Sequence, residues 1–562
     1  MSRSHLVIIF ALLLCGIIAQ AARVEVRWNV TYVQIDRDGY SMRRAIGVNG
    51  QIPIPPVHAS VGDTLVLHVH NSLDKPTSIH AHGLVQNNTN YLDGATMFTQ
   101  CGIPPGQSFT YEHYLHQPGT FWLHGHFNHQ NADGLRTPLV VYDRERPPYK
   151  YDEDHLFYFE DWYQVEYAER LKITIGPSDV FPPPATYPTA MINGFDGNKT
   201  KPLEFKPGKT YRLRFVNMAT TEWFKFNIPG HKLQVIEADG VYSTPLTVDG
   251  LDLSPGQRYS VLVTAQDTDK YNYNYNVTLY ASFLPNIKGF NPRYYQGLVE
   301  YRKGASVKET KEPKDFVWAH DINLSALSGE KPLDVDRSIT LTVGATQYLN
   351  GEFHDVINNI TYAPPVIPSL YSALSMGKLA TNESLYGPQT HAVVLKYMDN
   401  IELVIRNPNT LAHPLHLHGH SFQIVEYGPV DVPKPVSGTD SPTADIPPIP
   451  VTKFTGSAPM IRDTMLIPEG QYIKLRFKAD NPGAWALHCH MDIHFGLGMA
   501  MTFIEAPDVL QSGLFKIPEK MLEHCKMLGI PVTGNGAGRE GFDLAGLSMP
   551  LTRNQATVAR DP

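Results

Sequence analysis

The chain has 562 residues, 42% of them hydrophobic and 18% charged, with a formal charge of −8 at pH 7. That length exceeds one ordinary core and suggests two to four domains. The mild acidity gives no electrostatic footprint of a nucleic-acid binder and leaves room for a cationic substrate such as a metal ion. Abundant proline (45), glycine (43) and tyrosine (29) favour many short strands joined by tight turns over long helices.

The N-terminus reads as an address. Arg3 precedes an apolar run at residues 6–18 that ends at Ala19-Gln20-Ala21, a small-residue cleavage pattern. The run is short for a membrane span, so residues 1–21 are expected to be a secretory signal peptide. Asn-x-Ser/Thr sequons start at Asn29, Asn87, Asn198, Asn276, Asn323, Asn359 and Asn382, and in a secreted chain several become surface glycosylation sites. No later stretch is apolar enough to cross a bilayer, and residues 551–562 are polar. The expected product is extracellular, with no membrane anchor.

Alternating apolar and polar segments recur at residues 64–69, 211–216, 259–263 and 472–477. Each follows a turn-rich element: Val61-Gly62-Asp63, Lys206-Pro207-Gly208-Lys209, Ser254-Pro255-Gly256-Gln257 and Pro468-Glu469-Gly470-Gln471. Such spacing predicts an all-β chain of Greek-key β-sandwiches. Charge and proline interrupt the pattern at residues 143–148, and the lysine-rich stretch 302–315 reads as a linker. Three domains are therefore expected: 22–146, 147–303, and 316–562 with a C-terminal tail. Residues 437–450, rich in Pro, Ser, Thr and Asp, read as a surface loop of the third.

Four cysteines occur, Cys15, Cys101, Cys489 and Cys525. Cys15 leaves with the leader, and the odd number that remains requires one to be held by something other than a disulfide. Cys489 is flanked by histidines and is the obvious metal thiolate. Cys101 and Cys525 are left to pair, tying the first domain to the tail.

The chemistry-bearing clusters are His80-Ala81-His82, His124-Gly125-His126, His413-Pro-Leu-His416-Leu-His418, and His488-Cys489-His490 followed by His494. On a strand, residues i and i+2 share a face, so each His-x-His pair projects two imidazoles together. A single pair is commonly two ordinary surface or core histidines. Four pairs, two near each end of the chain, can instead converge if the terminal domains pack together. Cys489 points away from its two neighbours and can ligate one metal while they ligate others. A Cys, two His and a weak axial Met form a blue-copper ligand set, which His413, Cys489, His494 and Met499 can fill. Zinc is the alternative metal, but these clustered ligands exceed what one four-coordinate zinc uses.

With these motifs the chain resembles the multicopper oxidases (laccases, ascorbate oxidases and fungal iron-uptake ferroxidases), through essentially its whole mature length. The resemblance implies three cupredoxin-like sandwiches and four copper ions, one type 1, one type 2 and two type 3. Carried over by position, His413, Cys489 and His494 are the type 1 ligands, with Met499 axial. His80 and His416 are the type 2 pair, and His82, His124, His126, His418, His488 and His490 are the type 3 ligands. It further implies one-electron oxidation of a small donor, electron passage across Cys489, and reduction of O2 to water. Asp93 and Asp492 match carboxylates that deliver protons in relatives. His68, His70, His113, His116, His129, His231 and His420 fall outside the ligand set and read as structural.

The donor divides the family. The texture is closest to fungal ferroxidases, in Thr99-Gln-Cys-Gly-Ile-Pro-Pro-Gly106, Arg462-Asp463-Thr464 and Phe477-Lys-Ala-Asp-Asn-Pro-Gly483. Those enzymes bind ferrous iron with carboxylates near the type 1 histidines. Glu204 aligns with one, Asn409 stands in place of the second, and residues 281–289 hold no third. Together with Met499 and the missing anchor, this favours a laccase-type oxidase of phenols or aromatic amines, with Glu204 accepting the phenol proton. A ferroxidase is the alternative, and a non-enzymatic copper protein a further one, which would have no use for the other cluster histidines. The second cluster reads His-Gly-His where relatives commonly have His-Ser-His, which predicts altered packing without lost ligands.

Overall fold

The computed structural model describes residues 21–175, 188–280, 293–348, 351–409, 411–430 and 450–547. The leader up to residue 20, the loop segment 437–449, residues 281–289 and the polar terminus 551–562 lie outside them. Among the described residues no helix is long and apolar enough to cross a membrane.

The strands form three pairs of sheets in chain order. Strands within 23–142 make two four-stranded sheets, and those within 153–300 a seven- and a five-stranded sheet. Those within 337–505 again make a seven- and a five-stranded sheet. One connectivity recurs in each pair. In one sheet the opening strand runs parallel to a later neighbour: Arg23–Ile35 beside Thr64–Asn71, Glu153–Trp162 beside Thr210–Asn217, and Arg337–Gln347 beside Asn400–Asn407. In its mate the closing strand runs parallel to an earlier one: Val57–Ser60 with Arg136–Tyr142, Leu203–Glu204 with Arg293–Glu300, and Ala392–Leu395 with Ala500–Glu505. Such crossovers inside otherwise antiparallel sheets are those of Greek-key sandwiches, so the all-β class expected from the turn spacing is the one found.

Sequence alternation decides which strands face water. In Asn400–Asn407 the buried side chains are Ile401, Leu403, Ile405 and Asn407, and their neighbours are half-buried or exposed. The histidine-bearing strands behave differently. Ile79–His82, Gly119–Gly125, His413–Leu417 and Gly483–Cys489 are buried at every position, because both of their faces are covered. The first sandwich has its own apolar core, whereas the second and third share a continuous one. A smaller core surrounds the disulfide that joins Cys101 to Cys525 across 424 residues, as the odd cysteine count predicts. Cys489 is the free, buried cysteine among the described residues.

Candidate metal centre

Two strand pairs, one from each terminal sandwich, supply the histidines. Ile79–His82 pairs with Gly119–Gly125, setting His80 opposite His124. His413–Leu417 pairs with Gly483–Cys489, setting His416 opposite His488. The two faces meet: His80 stacks on His418 with ring centroids 4.0 Å apart, and His82 on His416 at 3.8 Å. All eight imidazoles of the His-x-His pairs are buried. Their nitrogens gather into overlapping groups, among them His80/His82/His124, His80/His416/His418 and His126/His418/His488.

Hydrogen bonding shows which nitrogens face inward. A carbonyl or carboxylate oxygen only accepts, so a ring nitrogen against one carries the proton and leaves its partner nitrogen with a lone pair. His80 Nδ1 donates to Asp93 O (2.7 Å), His416 Nδ1 to Asp463 O (2.9 Å) and His124 Nδ1 to Gly125 O (3.1 Å). The Nε2 atoms of His80, His416, His124 and His126 are buried with no protein partner. His418 Nδ1 donates to Asp93 Oδ2 (2.9 Å) and His488 Nδ1 to Cys489 O (3.0 Å), so their Nε2 lone pairs confront each other at 3.1 Å. His82 is reversed. Its Nε2 donates to Asp463 Oδ1 (3.2 Å), turning Nδ1 toward His490 Nε2 at 3.2 Å. Bare donors aimed at one another make a cost that cations remove, and this donor set fits metal ions. Burial holds His82, His124, His126, His418 and His490 well below the ordinary imidazole range and pushes His488 down to about 3, so they remain neutral donors.

A second group lies behind this one. Cys489 Sγ is 3.5 Å from His494 Nδ1 and 3.9 Å from His413 Nδ1, and those two nitrogens are 3.0 Å apart. Burial pushes His413 down to about 3 and raises the Cys489 thiol well above its ordinary range. A thiol that reluctant to ionise needs an adjacent cation to become a thiolate. Met499 is buried, and its backbone closes the loop: Met499 N–H donates to His494 O (2.9 Å), and Cys489 N–H donates to Met499 O (3.0 Å). Cys489 thus belongs to one group, while His488 and His490 belong to the other.

The carboxylates singled out in the sequence fall in different settings. Asp93 is fully buried between two histidines, with Oδ1 3.2 Å from His80 Nδ1 and Oδ2 2.9 Å from His418 Nδ1. Asp492 opens the helix Asp492–Gly496 that carries His494; its Oδ1 accepts from Asn131 Nδ2 (3.2 Å), and its Oδ2 has no protein partner. It lines a cavity of about 370 Å³ whose wall also includes His124, His126 and His488. His129, read from sequence as structural, shares that wall, 3.9 Å from Asp492. Glu204 is exposed at the end of its short strand. Asn409 does touch the second group, with its amide nitrogen 3.2 Å from His413 Nε2. A ligand using Nδ1 carries its proton on Nε2, so the amide, whose two ends are interchangeable, then presents its oxygen. The acid-poor segment 281–289 lies outside the described residues.

Sequence reasoning missed what the middle sandwich contributes. Arg258 pairs with Asp463 through Nη1–Oδ1 (2.7 Å) and Nη2–Oδ2 (2.5 Å), and Arg462 pairs with Asp239 (2.8 Å) and Asp321 (2.5 Å), all buried. Burial alone would raise the Asp463 carboxyl, but Arg258 holds it well below the carboxylate range. The turn glycine Gly256 has φ +85° and lies so close that a Cβ would come 3.0 Å from the His490 ring. Gly125 is tight for a related reason, since a Cβ there would come 2.9 Å from Leu135 and 3.0 Å from Gln130. Restoring serine should cost about 1–3 kcal/mol through overpacking while both ligands stay in place. Gly125→Ser is therefore expected to melt earlier with an unchanged metal content, which calorimetry and metal analysis check.

Three stretches match the multicopper oxidase family: residues 29–146, 153–300 and 362–509. The iron multicopper oxidase fer1 of Mycosarcoma maydis is 37% identical, over 93% of this chain and 87% of its own. The crystal structure of Fet3p, a multicopper oxidase that functions in iron import, superposes with a TM-score of 0.83 at 29% identity, covering 94% of this chain and 98% of the other. A laccase from Botrytis aclada gives a TM-score of 0.73 at 28% identity, covering 91% and 92%.

Proposed function

The chain belongs to the multicopper oxidase family, a group of copper-dependent oxidoreductases with O2 as acceptor, and from that premise we propose that its electron donor is ferrous iron. The supporting observation is that relatives matched over most of the chain are named as iron or iron transport multicopper oxidases. This reverses the preference for phenols drawn from Asn409 and Met499. Four ferrous ions, one O2 and four protons would yield four ferric ions and two waters.

His413, Cys489 and His494, with the buried Met499 as a further candidate, would hold one type 1 copper. His80 and His416 are assigned to type 2, and His82/His124/His490 with His126/His418/His488 to two type 3 ions, four in all. The inward nitrogens of His80, His82, His124, His126, His416, His418 and His488 support their reading as metal ligands, and the His413/Cys489/His494 cluster supports the other group. Copper supplies one-electron acceptance from the donor and the site of O2 reduction. The protein does the rest. Cys489 joins the two groups through the few covalent bonds to its neighbours. Asp93 orients His80 and His418, and Asp463 holds His82 in the tautomer that turns Nδ1 inward. Asp492, with a free carboxylate oxygen on the cavity, delivers protons, and His129 lies beside it. Asp492→Asn is expected to lower turnover by roughly 10²–10⁴-fold, with copper content and single-turnover oxidation of the donor unchanged. Stopped-flow measurement of the donor and oxygen halves separates the two.

The sandwiches within 22–146, 147–303 and from 316 onward are proposed as the three domains. A bridge between Gly250 and Trp318 and another between Ser243 and Ala326 lay the start of the third against the second. Extracellular work fits the exposure of Asn29, Asn87, Asn198, Asn323, Asn359 and Asn382, whereas Asn276 sits mid-strand and accepts from Gln296.

Oxidation of a phenol is the second reading, favoured by Asn409, an uncharged group, against His413. Steady-state assays of the copper-loaded enzyme with ferrous iron and with a methoxyphenol decide between them. The iron reading expects the larger kcat/KM for iron, and a larger value for the phenol would overturn it.

A further inference from the structure

The hairpin of Arg337–Gln347 and Phe353–Ile357 places two chemically unusual side chains beside the loop that carries His494 and Met499. Its strands pair from Val343 opposite Ile357 to Gln347 opposite Phe353, and Tyr348 N–H donates to Glu352 O (2.8 Å). Glu352 and His354, two residues apart, project to one face. Tyr348 stacks on the His354 ring at 3.9 Å, which holds its orientation.

His354 Nδ1 lies 3.3 Å from Leu497 O, three residues past His494 and two before Met499. The carbonyl accepts, so Nδ1 is the protonated nitrogen, and a neutral imidazole then has its lone pair on Nε2. That lone pair faces a second acceptor, Glu352 Oε2, at 3.4 Å. Either a second proton on the ring or a cation between the two resolves this juxtaposition. The side chains remain within reach of solvent, at 17% exposure for His354 and 44% for Glu352.

We propose that Glu352 and His354 form the docking site for a hydrated ferrous ion, held beside the type 1 loop before it gives up its electron. The proposal rests on the iron reading above. A carboxylate oxygen and an imidazole nitrogen suit a first-row divalent cation, and water fills the other positions. Two protein ligands hold the ion long enough to react and release it afterwards. The ion would be oxidised from ferrous to ferric, its one electron taken up by the copper that His413, Cys489 and His494 would hold. Glu352 supplies the negative charge that Asn409 does not.

The test uses the copper-loaded full chain. Glu352→Gln keeps the hairpin and the His354–Leu497 bond but removes the charge. The expected result is a KM for ferrous iron raised roughly tenfold or more, with kcat/KM for a methoxyphenol and the visible spectrum unchanged. Zinc ion should compete with iron in the wild type, lose that competition in the variant, and leave phenol oxidation untouched in both. If iron stays the preferred donor but its KM does not move, or zinc does not compete, the pair is a plain ion pair and the docking site falls while the iron reading stands. Equal losses for both donors would also overturn it, by showing general damage to the loop. A wild type that oxidises phenols and not iron removes the iron reading and this site together.

Discussion

Cys489→Ser is expected to fold, to lose all visible thiolate absorption, and to lose turnover with every donor by about three orders of magnitude or more, roughly 4 kcal/mol of barrier. Folding should survive because the cysteine is small and its backbone does the structural work: its N–H donates to Met499 O and its carbonyl accepts from His488 Nδ1. Turnover should not, because the sulfur belongs to the His413/His494 group, while its covalent neighbours His488 and His490 belong to the other. A hydroxyl is a poor soft ligand and breaks that connection at its first atom. Copper bound by the eight remaining histidines should persist. Oxygen consumption that survived this change would remove the relay from the account.

Asp463→Ala carries the second large effect, and here the loss is of structure. Arg258 is fully buried, and Asp463 meets it with two charge-assisted hydrogen bonds. Removing one partner of a buried pair leaves an uncompensated charge and costs about 3–5 kcal/mol. The same carboxylate fixes His82, whose Nε2 donates to it at 3.2 Å. Without that acceptor the imidazole is free to change tautomer, and Nδ1 no longer reliably faces His490. Denaturant midpoints should fall sharply, and copper should be lost from the histidine cluster before the Cys489 site. Asp463→Asn, which keeps the shape and loses the charge, should lie between. An alanine variant with unchanged midpoint and full copper would show that the pair neither stabilises the interface nor orients the ligand.

These residues also show where sequence reading stops. The His-x-His pairs were legible because strand geometry puts alternate residues on one face, so spacing alone placed His80 with His82 and His488 with His490. Cys489 was legible from its neighbours, and the Cys101–Cys525 disulfide from an odd count. Arg258 and Asp463 were not. They are 205 residues apart, and nothing local to either reports a partner in another sandwich. The two-residue Asp463–Thr464 segment stood out only as texture, although its carboxylate and carbonyl position His82 and His416. Gly256 looked like any turn glycine until the fold laid it against His490. His129 lies beside the His124-Gly125-His126 motif but outside the family's ligand set, and only the packed helix Asp492–Gly496 brings Asp492 to it. The choice of donor was legible only in the matching carboxylate Glu204 and the departures at Asn409 and Met499. Exposure at Glu204, and the placement of Glu352 and His354 beside Leu497, required three-dimensional contacts.

We propose that the eight paired histidines, together with His413, Cys489 and His494, would hold four coppers in two connected groups. Metal analysis of the purified chain, taken with its visible absorption, tests this most directly. The account predicts four coppers per chain, with an intense thiolate-to-copper band that disappears in Cys489→Ser while most of the copper remains. A chain that bound one copper, or zinc in its place, with no thiolate band would contradict it.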